Sequence, residues 1–167
     1  MALMNPTAVR SRAGLLSAAD ELLHERHSVD ISITDVVKHA GLSRPTFYQY
    51  FPDLGMLFAT CGFERVGTLI EQASQGDFLS ELFDGMAADA AFYFHIYDGP
   101  GGVLFQVGMI QAITQKLIDD GATAPAAEFA AAGIVWNLVK HLVVAAGGAV
   151  AVDNPAAHIQ PLMDRLV

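Results

Sequence analysis

The sequence predicts an all-α fold. Three observations carry that prediction. Apolar residues recur at spacings of three and four along the chain, and almost nothing alternates with the period of two that a strand needs. Helix-start signals precede the apolar runs, most plainly at Ser32 and Ser43. Turns rich in glycine and proline, such as "DGPGG" from Asp98 to Gly102, separate the periodic segments. With 167 residues, 53% of them hydrophobic, the chain is long and apolar enough to bury a sizeable core.

The elements follow in order. The first helix is expected over about Thr7 to Arg26. Pro6 suits its opening, where a missing N–H costs nothing, and Leu15, Ala19 and Leu22 share one face beside Leu16 and Leu23. A short second helix starts at "SITD", where Ser32 and Asp35 have the spacing of a capping box. Gly41 stops it, as glycine does just past a helix end. Ser43 caps a third helix, with Pro45 tolerated in its first turn. Further helices are expected over about Asp53–Ala73, Phe78–Tyr97, Val103–Asp119 and Pro125–Ala146, with a last short one from Pro155 to Leu166.

Charge divides the chain unevenly. The net charge is −9, yet residues 1–51 carry five basic and five acidic groups, while residues 52–167 hold four basic and thirteen acidic ones. Such a balance argues against a protein that coats nucleic acid over its whole surface, and the asymmetry points to two segments with different partners. The division expected is an N-terminal part over residues 1–51 and a larger helical part over residues 52–167. A single cysteine, Cys61, excludes an intramolecular disulfide framework and fits a reducing compartment, hence a cytoplasmic protein. The opening residues lack the pattern of a signal peptide. The most apolar stretch, Phe129 to Val152, is long enough to span a bilayer, but Asn137, Lys140 and His141 sit at its middle, so a buried or subunit-contact helix is expected there and no membrane.

"GLSRPTFYQYF", Gly41 to Phe51, raises the functional question, because it gathers four aromatics around one formal charge. Two short helices joined by a tight Gly-Leu-Ser turn match a helix-turn-helix, whose second helix lies in the DNA major groove. The residue types suit that task. Arg44 can fork onto a guanine, and Thr46 and the Pro45 ring can meet a thymine methyl. Tyr48, Gln49 and Tyr50 offer hydroxyl and amide groups to phosphates. Phe47 and Phe51, four apart, share the opposite face and are expected to pack on the first two helices.

"ISITDVVKHAGLSRPTFYQYFPDLGMLF", Ile31 to Phe58, resembles the DNA-binding domain of TetR-family transcriptional regulators. The shared pattern is a capped helix, "AGLS", a basic residue, a small residue, Thr, an apolar residue, Tyr, two variable residues and Phe. The resemblance covers roughly residues 8–60, about a third of the chain. It implies a homodimer on a palindromic double-stranded DNA operator, usually a repressor, with a small-molecule effector pocket among the C-terminal helices. Carried onto this sequence, the DNA-facing residues would be Thr34, Arg44, Pro45, Thr46, Tyr48, Gln49 and Tyr50, with Ser32 and Ser43 as caps. One position departs from the pattern. Leu54 stands where the family commonly has a phosphate-clamping lysine, and Asp53 beside it adds a negative charge. A backbone contact is then lost, or Arg10 and Arg12 replace it.

The C-terminal part is less specific. Phe92 and His95, in "AAFYFHIY", with Phe105 and Met109 after the turn, form a polar-tipped aromatic group that is either ordinary core or the lining of a ligand pocket. Gly133, Trp136, Lys140 and Val144 fall close together on the long helix and are candidates for a dimer interface, with intramolecular packing as the competing reading. No metal-ligand spacing, phosphate loop, nucleophile elbow or acid–base pair is visible, so neither metal, cofactor nor enzymatic activity is expected. The reading is a ligand-responsive DNA-binding regulator. The alternative is a helical homodimeric small-molecule-binding module that no longer binds DNA.

Overall fold

The structure is a computed structural model, and it describes residues 6–73 and 77–147. Among these, every regular element is helical: α1 (Pro6–Glu25), a 3-10 turn (Ser28–Asp30), α2 (Ile33–His39), α3 (Arg44–Tyr50), α4 (Leu54–Gln72), α5 (Phe78–Ala88), α6 (Ala90–Tyr97), α7 (Gly102–Asp119) and α8 (Ala124–Gly147). The expected helix Pro155–Leu166 lies outside the described residues. No described helix is long and apolar enough to cross a membrane.

The chain divides into two compact units. Of the described residues, one unit holds those up to Gly62 together with His95–Phe105, and the other holds those from Phe63 to Phe94 and from Gln106 onward. The core of the first is built from α1, whose Leu15, Ala19 and Leu23 are fully buried, with Val36 from α2 and Phe47 from α3. The "DGPGG" turn belongs to this unit and does more than reverse the chain. A Cβ at Gly55, in the first turn of α4, would stand 2.7 Å from the Pro100 carbonyl oxygen, so the absence of a side chain lets the two backbones meet. Beside it, the His95 ring Nδ1 lies 2.6 Å from the Leu23 carbonyl and therefore carries the proton it donates. The ring also packs on His27, with centroids 4.2 Å apart.

The second unit corrects one expectation. The single helix expected over Phe78–Tyr97 is two helices, broken at Asp89, which leaves helical geometry at φ −128° and ψ 40°. The Asp89 carboxylate accepts from Arg65 Nη1 at 2.5 Å, and the Arg65 guanidinium lies 4.5 Å from the centre of the Phe92 ring. Flanked by alanines, Asp89 sits in a stretch whose propensity favours continuity. The ion pair to a residue 24 positions away anchors the side chain at the break instead.

Candidate nucleic-acid interface

Short-range bonds shape the segment from Ser32 to Phe51. Ser32, with extended backbone, caps α2: the Asp35 backbone N–H donates to its hydroxyl oxygen at 3.2 Å, and the Asp35 carboxylate accepts from the Ser32 N–H at 2.9 Å. The reciprocal bonds hold the Asp35 carboxyl below its ordinary range, the Ser32 hydroxyl contributing most. At the other end, Gly41 takes φ +65°, open to glycine at no steric cost. The Leu42 N–H then reaches the Val37 carbonyl at 2.8 Å, the six-to-one closure that satisfies a helix end. Ser43 caps α3, accepting from the Thr46 N–H at 3.3 Å, and its hydroxyl also shares a hydrogen bond with Thr46 Oγ1 at 2.8 Å.

This framing sorts the aromatics of α3 by side. Phe47 is fully buried and Phe51 nearly so, their ring centres 6.1 Å apart. Tyr48 is 54% exposed. Arg44, Pro45 and Gln49 are exposed with it, while Thr46 and Tyr50 are half-buried. Thr34, exposed on α2, accepts a hydrogen bond from Arg44 Nη1 at 3.3 Å, so the outward positions of the two helices form one continuous surface. Two contacts brace α2: His39 Nε2 lies 2.7 Å from the Glu21 carboxylate on α1, and Arg26, just past the end of α1, pairs with Asp35 at 3.9 Å. The Arg12 guanidinium lies over the Phe51 ring at 5.7 Å, near the end of α3.

The position that departs from the lysine pattern has a structural task. Asp53 Oδ1 accepts from the Met56 N–H at 2.8 Å and so caps α4, while Leu54 is half-buried. Asp53 thus stabilises the helix start with a negative charge at the positive end of the α4 dipole.

Residues 15–61 match the family model described as bacterial regulatory proteins, tetR family. Those residues hold the helix-turn-helix, so the likeness to the tetR family lies in this N-terminal part of the chain. The HTH-type transcriptional regulator EthR of Mycobacterium tuberculosis H37Rv is 39% identical over 70 residues, covering 42% of this chain and 32% of that protein. The regulator of the same name in Mycolicibacterium smegmatis is 33% identical over 84 residues, covering 50% of this chain and 36% of that protein. These matches span about a third of the length of either relative. The likeness in fold extends further than the sequence match: the solved structure of a putative tetR transcriptional regulator from Streptomyces avermitilis superposes with a TM-score of 0.53 at 20% identity, covering 93% of this chain and 95% of that one.

Outside the helix-turn-helix, two further features stand out. In the second unit a cleft of about 440 Å3 opens between α4 and α7. Phe63, Val66 and Gly67 line it from α4, and Gly108, Met109, Gln111 and Ala112 line it from α7. Of the four residues singled out in sequence as a ligand group, Met109 alone lines this cleft; Phe92 and Phe105 are fully buried, and His95 is held in the first unit by the Leu23 carbonyl. On α8, Trp136 is 61% exposed, with Gly133 and Lys140 exposed on the same face. Phe129, 79% exposed, and Val143 extend that stripe, and sequence reading missed both. Helical spacing from Trp136 was the signal that could have found them. The side chain of Val144 lies outside the description.

Proposed function

We propose that this chain is a sequence-specific DNA-binding transcriptional regulator that acts as a homodimer, with α3 as the helix that enters the major groove. The observation that carries the reading is the sorting of α3: its phenylalanines close the core, while Arg44, Pro45, Tyr48 and Gln49 stand outward beside Thr34. That is the arrangement a groove-reading helix needs, with base-edge donors near its N-terminus and phosphate-positioning groups further along. The match of residues 15–61 to the tetR family model, and the likeness to HTH-type transcriptional regulators, support it.

The finer reading is repression of a palindromic operator, released by a small-molecule effector. Residues 1–51 form the DNA-binding part, and residues 52–167 the effector and dimerisation part. In a dimer the two recognition helices must stand about 34–36 Å apart, one turn of DNA. An effector releases DNA only if it binds a differently spaced state better. The exposed α8 stripe of Phe129, Gly133, Trp136 and Lys140 is the surface offered for the isologous contact.

Binding to the DNA upstream of the chain's own gene, titrated across salt against a scrambled duplex and backed by genome-wide selection of bound fragments, tests the reading. Sequence-dependent binding with a steep salt slope is expected. Arg44→Ala is expected to lose about 1–3 kcal/mol and relax specificity at one position. Tyr48→Ala is expected to weaken binding evenly across sequences. A selection that returns no specific fragment makes the chain a ligand-binding module that does not read DNA.

A further inference from the structure

α3 carries one formal charge, on Arg44, and its guanidinium is held from the neighbouring helix. Arg44 Nη1 donates to Thr34 Oγ1 on α2 at 3.3 Å. Both residues are exposed, so no burial forces the contact. The carboxylate next to Thr34 is committed elsewhere. Asp35 accepts from the Ser32 N–H at 2.9 Å and from the Ser32 hydroxyl at 2.6 Å, and it faces Arg26 at 3.9 Å. Arg44 is thus steered by a neutral oxygen and keeps its whole positive charge for a partner outside the chain.

The two side chains differ in stiffness. Thr34 is β-branched, with few χ1 rotamers, so its hydroxyl is aimed at small entropic cost. Arginine has among the largest rotamer freedoms to lose when it is ordered. A guanidinium already steered in the free protein loses less on binding. The bond also leaves both groups able to do more. The second N–H of Nη1 and both of Nη2 remain to fork onto guanine O6 and N7. Thr34 accepts through its oxygen, so its O–H can turn to a phosphate oxygen and donate.

We propose that Thr34 is a positioning residue for base readout: its hydroxyl joins a backbone phosphate to the Arg44 guanidinium and fixes the fork that selects guanine. The chain of bonds runs from phosphate oxygen to Thr34 Oγ1, to Arg44 Nη1, to the guanine edge. An O–H that donates to an anion makes its own oxygen a better acceptor, so the phosphate contact strengthens the hold on Arg44. Register along the backbone and choice of base then rise and fall together. Neither residue suffices alone. A lone phosphate contact carries no sequence information, and an unsteered arginine gives up its full rotamer freedom at the base. The readout role deepens the DNA-binding reading above and rests on it; the steering of Arg44 in the free protein does not.

Two measurements on the full chain test the proposal. The first uses no DNA: nitrogen-15 relaxation of the Arg44 Nε–Hε group reports how ordered the side chain is. Thr34→Val keeps the shape and removes the hydroxyl, and is expected to make that group more mobile. Thr34→Ser is expected to restore its order. The second uses duplexes that the parent selects from a randomised library. The base pair at which Arg44→Ala relaxes selectivity is the one Arg44 reads. Thr34→Val is expected to lower discrimination at that pair about threefold or more, to keep discrimination at the other pairs, and to change nothing further there when combined with Arg44→Ala. Thr34→Ser is expected to recover the lost discrimination, and Thr34→Ala repeats the test should the valine variant not fold. The proposal is overturned if Thr34→Val weakens all sequences equally with discrimination intact, if its effect at that pair persists in the Arg44→Ala background, or if Arg44 is as mobile in the parent as in Thr34→Val. A parent that selects no sequence defeats the DNA-binding reading and the readout role with it, whereas unchanged Arg44 order in Thr34→Val defeats the positioning alone.

Discussion

Ser32 and Ser43 each replace a missing backbone partner at a helix start, and the outward surface of α2 and α3 depends on both. Removing the Ser43 hydroxyl orphans the Thr46 N–H and takes a partner from Thr46 Oγ1. Ser43→Ala is therefore expected to cost about 1 kcal/mol in urea denaturation. Asp35 adds a pH dependence. Its folded-state pKa lies below the ordinary 3.8, through the bonds from Ser32. The folded state thus binds that proton more weakly than the unfolded state. The resulting stability is present above the ordinary value and is lost as pH falls through the lowered one. Thermal melts followed from about pH 7 to about pH 3 are expected to show a smaller acid loss in Asp35→Asn than in the parent, because the variant has no proton to take up there.

α3 has seven residues and could not persist as an isolated helix. Tertiary burial holds it, and Phe47 is the fully buried side chain that it contributes. Phe47→Ala is expected to cost about 3–5 kcal/mol, a large share of the about 5–15 kcal/mol available to a domain. Urea denaturation measures the loss, and hydrogen exchange at Tyr48 to Phe51 reads whether α3 opens with it. The same element shows how much of the site was legible in sequence. The caps, the Gly41 stop and the inward Phe47 and Phe51 follow from spacing alone. The hydrogen bond between Arg44 and Thr34 does not, because it joins residues on two helices and depends on the angle between them. The α4–α7 cleft was only partly legible: Met109 was singled out in sequence, but Gly67 and Gly108, which also line it, have no side chain to attract notice.

For the molecule as a whole, the open question of assembly is carried by α8. Phe129 and Trp136, among the most exposed large apolar side chains described, share one face with Gly133, Lys140 and Val143. Trp136→Glu is expected to give monomers at concentrations where the parent sediments as a dimer, with unchanged helical circular dichroism; a parent that sediments as a monomer would remove the dimer from the proposal. The sequence by itself determined the helical class, the two caps and the helix-turn-helix, because those features rest on contacts within about five residues, where periodicity and capping chemistry act. Only the tertiary structure decided the break at Asp89, the approach of Gly55 to Pro100 and the cleft beside Phe63. Each depends on residues 24 to 45 positions apart, whose meeting is fixed by packing rather than by local preference.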